Sequence, residues 1–192
     1  MKKYYKIVIF IGDDNVDEII IRQLTKEDVV GAAYVRVNAW KVAYKGIVND
    51  NYLNSLSLDE QIKKFEKCIG NNNFIVAVLN NEVVGFCRFV FDNSLSADID
   101  YVDCELAAIY VHPDLKGKGI GTKMFKYVVN EFYKNDKEKM ILWCLQNNVN
   151  SIGFYEHMGG EIKESKLAQI GNTEYKEVGI VYNIKELVKD YN

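Results

Sequence analysis

Cys104-Glu-Leu-Ala-Ala-Ile-Tyr-Val-His-Pro-Asp-Leu-Lys-Gly-Lys-Gly-Ile-Gly121 joins an apolar strand to a glycine-rich turn and then to a helix, and the fold is read outward from it. Glu105 is the one carboxylate in the strand, and Gly117, Gly119 and Gly121 alternate where the helix begins. Glycines there leave several backbone N–H groups unscreened at a helix N-terminus, which suits an anionic phosphate chain.

Downstream, Ile120, Met124, Phe125, Val128 and Phe132 have the spacing of an amphipathic helix, and Met140 to Leu145 form the unbroken apolar run of a strand buried on both faces. Strand, helix crossover and strand predict a parallel pair. A short helix over about Asn150 to Met158 stops at Gly159-Gly160, and runs at Glu161–Ile170 and Tyr175–Ile184 predict a closing hairpin. Upstream, Phe74–Leu79 and Val83–Phe91 flank Asn80-Asn-Glu82 as a second antiparallel hairpin.

Ile19–Leu24 is strand-like, and Thr25-Lys-Glu-Asp28 places a capping oxygen and an acid three residues apart, which marks the start of a helix through Val29, Ala33, Val37 and Trp40. The helical pattern breaks at Tyr44-Lys-Gly46 and resumes over Asp59–Ile69 as a second helix or a broken pair. Ile7–Ile11 is either an extra edge strand or an apolar extension. The expectation is an α+β fold on a mixed sheet, with residues 1–18 as an N-terminal extension or edge strand and one domain over 19–192.

Composition narrows the partners. A formal charge of −3 with 27% charged residues argues against nonspecific nucleic-acid binding and favours a neutral or cationic small partner. The four cysteines lack C-x-x-C spacing, and His112 and His157 stand apart from any ligand cluster, so no metal is expected and the thiols read as reduced. Ile7–Ile11 is too short for the core of a signal peptide, and no segment approaches the roughly 18 apolar residues of a membrane span. A cytoplasmic protein without membrane contact is the expectation.

Lys116-Gly-Lys-Gly-Ile-Gly121 is not a P-loop, because Thr122 rather than lysine follows Gly121. A dinucleotide fingerprint would need glycine at Thr122 and an acid after the next strand, where Gln146 and Asn147 stand. Farther down lie Leu142-Trp-Cys-Leu-Gln-Asn-Asn148, Ser151-Ile-Gly-Phe-Tyr-Glu156 and Gly159-Gly160. With these and Glu105, the chain resembles the GNAT superfamily of acetyl-CoA-dependent N-acetyltransferases over about residues 19–184. The family's Q/R-x-x-G-x-G/A turn lines up with Lys116, Gly119 and Gly121, and its N-x-x-A-x-x-F-Y pattern with Asn148, Ser151, Phe154 and Tyr155. Lys116 and Ser151 depart from it: lysine still favours phosphate, and serine keeps the position small.

The resemblance implies a mostly antiparallel central sheet with a splayed parallel strand pair, flanked by helices. It places the pyrophosphate of acetyl-CoA on Lys116, Gly117, Lys118, Gly119, Ile120, Gly121 and Thr122, and the pantetheine arm along Ile109, Tyr110 and Val111. Asn148, Ser151 and Tyr155 join the cofactor set, although Asn148 reads equally as a helix cap. By the same resemblance, Glu105 is the general base, the Ile109 N–H stabilises the oxyanion, and Tyr155 protonates the departing CoA thiolate. The plain alternatives are a salt-bridged strand acid at Glu105 and a packed aromatic at Tyr155.

For the acceptor, Trp40, Tyr44, Tyr52, Asp92, Asp98, Asp100 and Asp103 either line a site for a cationic amine or, for the acids, form a solvated loop. The expected reaction is direct attack by a primary amine of a small cationic molecule on acetyl-CoA in a ternary complex. The alternatives are acetylation of a protein N-terminus or lysine, and a noncatalytic acyl-CoA-binding domain. A homodimer is compatible with this reading.

Overall fold

The computed structural model describes the backbone of residues 5–10 and 16–191, and side chains from Ile19 onward except Asp190; Ile11 of the first apolar run lies outside the described residues. The chain divides into two compact units. One comprises Met1–Val42, Leu56–Arg88 and Ile109–Met124, the other Ala43–Ser55, Phe89–Ala108 and Phe125–Asn192.

The first unit is built on β1 (Tyr5–Phe10), β2 (Val16–Gln23), β3 (Phe74–Leu79) and β4 (Glu82–Val90), each antiparallel to the next. The Ile7 run is therefore an edge strand, and its partner begins three residues earlier than the apolar pattern suggests. All six residues of β3 are buried, each large side chain contributing about 2 kcal/mol of transfer free energy. Asn80 and Asn81, at φ 49° and 64°, form the two-residue turn whose twist matches the strands it joins.

Between β2 and α1 (Val29–Ala43), the buried Asp28 carboxylate receives the Thr25 N–H and hydroxyl, both at 2.8 Å, and a two-pronged contact from Arg22. Burial alone would raise the Asp28 pKa; the Arg22 and Thr25 hydrogen bonds outweigh it and hold the carboxyl below its ordinary range. α3 (Leu58–Glu66) is capped by Ser57 and sends Phe65 onto Phe74 and Phe86 at centroid distances of 5.1 Å. Gly85 of β4 permits close packing: an added Cβ would lie 2.9 Å from the sulfur of Met124 and 3.0 Å from the Tyr110 carbonyl oxygen. Met124 belongs to α4 (Ile120–Lys134), so the missing side chain at Gly85 lets that helix pack close to β4.

The second unit carries the start of β5 (Cys104–Val111), then β6 (Lys139–Leu145), β8 (Thr173–Asn183) and β7 (Glu161–Ile170) in that spatial order. β6–β8 and β7–β8 are antiparallel, whereas β5–β6 is parallel. The parallel ladder joins only Cys104 to Met140 and Glu105 to Ile141, although both strands run on. This is the splay expected between them. α5 (Val149–His157) ends at Gly159, held at φ 90°, and α6 (Ile184–Tyr191) follows β8. The pattern break after Tyr44 resolves into a separate short helix, α2 (Asp50–Ser55). Among the described residues no helix is long and apolar enough to cross a membrane.

Candidate active site

In the first unit, β5 ends through His112 and a 3-10 turn at Pro113–Leu115 before reaching the glycines. The His112 N–H donates to the Val84 carbonyl at 2.8 Å and its ring stacks on Tyr34, which makes His112 a structural residue of the strand exit. Gly117 and Gly119 hold φ of 77° and 75°, with nothing within 4 Å of an added Cβ at either. Their requirement is conformational rather than steric. The Gly119 carbonyl accepts the Lys123 N–H at 3.0 Å, the first bond of α4, so the Ile120, Gly121 and Thr122 N–H groups have no partner within the helix itself. Lys116, Gly117, Lys118 and Gly119 are exposed around this positive end of the helix dipole. Ile109, Tyr110 and Val111 lie half-buried on the strand just before it.

Glu105, in the second unit, is 5% exposed and stands where the parallel ladder ends. It is no solvent-screened edge acid. The Ser96 hydroxyl donates to its Oε2 at 2.5 Å, and the Trp143 indole N–H donates to Ser96 Oγ at 2.8 Å. Strand register puts Glu105, Ile141, Trp143, Leu145, Glu177 and Gly179 on one sheet face, since paired residues share a face and alternate residues return to it. Burial raises the Glu177 carboxyl above its ordinary range, Lys166 draws it back, and the Glu105 charge raises it again. Neither Ser96 nor Glu177 had a signal in the sequence, because both reach Glu105 only through tertiary contact.

α5 carries the remaining expected residues. Asn148 is buried, and its side-chain oxygen caps the helix by accepting the Ser151 N–H at 3.4 Å. Tyr155 is half-buried, its ring 5.4 Å from Phe154, and its carbonyl accepts the Tyr182 hydroxyl at 3.0 Å and the Gly160 N–H at 3.1 Å. Ser151 is half-buried one turn earlier.

The acceptor candidates divide. Asp92 binds the Ser94 N–H, and Asp103 receives the Glu138 and Lys139 N–H groups, so both serve the backbone; Asp98 and Asp100 are exposed. One face of Trp40 is covered by Arg36, whose guanidinium lies 3.6 Å from the ring centroid. Tyr52 packs on Gly171, while the Asn49 N–H donates to the Tyr175 hydroxyl at 2.9 Å beside an open cavity lined by Ile47, Leu145, Gln146, Asn147, Tyr175 and Lys176. Cys144 is 5% exposed; burial, with the Glu177 charge, pushes its thiol pKa up to about 12, which keeps it protonated and unreactive.

Residues 36–160 match the family model described as the acetyltransferase (GNAT) family. An uncharacterised N-acetyltransferase, YuaI of Bacillus subtilis strain 168, is 26% identical over 162 residues, 84% of this chain and 91% of that protein. Among solved structures, the PaiA N-acetyltransferase of Thermoplasma acidophilum in complex with coenzyme A gives a TM-score of 0.65 at 19% identity, covering 86% of this chain and 98% of that one. YncA from Salmonella typhimurium, solved with acetyl-CoA, gives 0.60 at 20% identity, covering 86% and 94%. At such identities the structural matches speak to the fold alone.

Proposed function

The chain belongs to the acetyltransferase (GNAT) family, an acetyl-CoA-dependent enzyme family, and from that premise we propose that it transfers the acetyl group of acetyl-CoA to a primary amine of a small cationic molecule by direct attack in a ternary complex. The observation that carries this reading is the buried Glu105 at the point where β5 parts from β6, on the same stretch of chain as the open N–H groups at the start of α4.

Each residue then has a role. Lys116, Gly117, Lys118, Gly119, Ile120, Gly121 and Thr122 receive the pyrophosphate through backbone N–H groups, with lysine charge added. The main chain of Ile109, Tyr110 and Val111 pairs with the pantetheine amides as an added strand would. Asn148 and Ser151 complete the cofactor set that the family pattern implies. Glu105 takes the proton that the amine must lose to become nucleophilic. The Ile109 N–H faces the oxyanion that forms on attack, and Tyr155 gives a proton to the CoA sulfur as the intermediate collapses. Negative charge on Glu105 and Glu177 favours a cationic acceptor, which is why a small cationic amine is preferred here to a neutral one.

Thiol release from acetyl-CoA, measured across diamines, amino sugars, amino acids and lysine or N-terminal peptides, tests the assignment. Turnover on a small cationic amine is the expected result. Turnover confined to peptides would move the acceptor to protein, and CoA binding without turnover on any amine would make the chain a noncatalytic acyl-CoA-binding domain.

A further inference from the structure

Ser96 is 1% exposed although it lies in the β4–β5 connection, where Leu95, Ala97 and Asp98 around it are exposed. The connection folds on itself to place it. The Ser96 N–H donates to the Asn93 carbonyl at 2.8 Å, the Ile99 N–H to the Ser96 carbonyl at 3.0 Å, and the Asn93 side-chain amide to the Ile99 carbonyl at 3.1 Å. Ile99 and Val102 then pack with Ile141, Val181 and Trp143.

The direction of the hydroxyl follows from its neighbours. An indole N–H can only donate, so Ser96 Oγ must accept from Trp143, and its single proton goes to Glu105 Oε2. Trp143 is itself held: Lys166 Nζ lies 3.8 Å from its ring centroid, and an added Cβ at Gly179 would come within 3.0 Å of its ring. The charged residues that register puts on this face of the sheet include Lys139 on β6, Glu177 on β8, and Glu164 and Lys166 on β7. One oxygen of Glu105 is thus committed to a donor that its own partner prevents from turning away.

We propose that Ser96, oriented by Trp143, is a positioning residue for Glu105: it fixes the carboxylate's rotamer and favours its charged, proton-accepting form. This rests on Glu105 being the base. It assigns a catalytic consequence to the connection before β5, whose Asp92 and Asp103 serve the backbone.

The test is a double-mutant cycle on acetyl transfer, with an indole probe that needs no turnover. Ser96→Ala should lower kcat about tenfold to a hundredfold, leave the KM for acetyl-CoA unchanged and move the acid limb of the kcat profile to higher pH, because the charged form loses a hydrogen bond. Trp143→Phe should act in the same direction, and Ser96→Thr should restore most of the rate. In Glu105→Gln, adding Ser96→Ala should change kcat less than about twofold, since effects routed through one group do not add. An equal loss in both backgrounds, or an unmoved acid limb, overturns the proposal. Should Glu105→Gln leave rate and profile unchanged, the base reading itself falls; should it lower the rate while Ser96→Ala does not, only the positioning role falls. Of the two tryptophan indole N–H resonances, the one lost in Trp143→Phe should shift in both Ser96→Ala and Glu105→Gln while that of Trp40 stays. A Trp143 signal indifferent to Glu105→Gln contradicts the relay.

Discussion

At Glu105 the proposed chemistry turns on what surrounds one carboxyl group. It is buried beside a hydroxyl donor, and its charge helps to raise the Glu177 carboxyl across the sheet. Removing that charge with Glu105→Gln should let Glu177 ionise at lower pH, read by carboxyl NMR titration, and an unmoved Glu177 titration would contradict the coupling. Glu105 could be picked from the sequence because it is the lone acid on an apolar strand before a glycine-rich turn. Ser96 and Glu177 could not, being nine residues before and 72 residues after it with no periodicity linking them. The same holds for the loop acids: Asp92 and Asp103 look available in the sequence and accept backbone N–H groups in the fold.

Among the elements, the turn before α4 was the most legible, since glycine spacing states a backbone requirement directly. Gly119→Ala places a Cβ on a residue at φ 75° with open space around it, so its cost is about 1 kcal/mol of backbone strain rather than a clash. Gly119→Asp adds charge repulsion against phosphate, and acetyl-CoA affinity, measured by calorimetry, should fall far more than in Gly119→Ala. Equal affinities in the two variants would separate the turn from phosphate binding. The Thr25 to Asp28 helix start was equally plain, but its partner Arg22 was not, because a bidentate contact across a turn leaves no spacing rule. Arg22→Gln leaves the Asp28 carboxylate buried with less compensation and should cost about 3 kcal/mol, read as a lowered unfolding midpoint. Since the Asp28 pKa is depressed on folding, its stabilising effect is present above its unfolded pKa and is lost as pH falls through the folded one. The wild type should therefore lose stability on acidification more steeply than Asp28→Asn. Short helices were harder to see: α2 spans six residues and α6 eight, too few turns for a stripe to stand out from its flanks.

For the whole molecule, order along the chain carried more than any single motif. A glycine turn alone is common, yet Glu105, the turn, Asn148 and Tyr155 in that sequence matched a family whose model spans residues 36–160. The sheet followed from it, including the parallel pair that separates after Glu105. The acceptor did not, because its recognition depends on which side chains from distant strands share a face, and the apolar and aromatic residues that mark a binding surface also mark a core. The most direct measurement is the pH profile of thiol release from acetyl-CoA with one amine, compared between wild type and Glu105→Gln. With Glu105 as base, the wild-type rate levels off above its acid limb, whereas the variant is about a hundredfold slower near neutral pH, climbs about tenfold per pH unit with the free amine, and binds acetyl-CoA as before. Superimposable profiles would contradict the account.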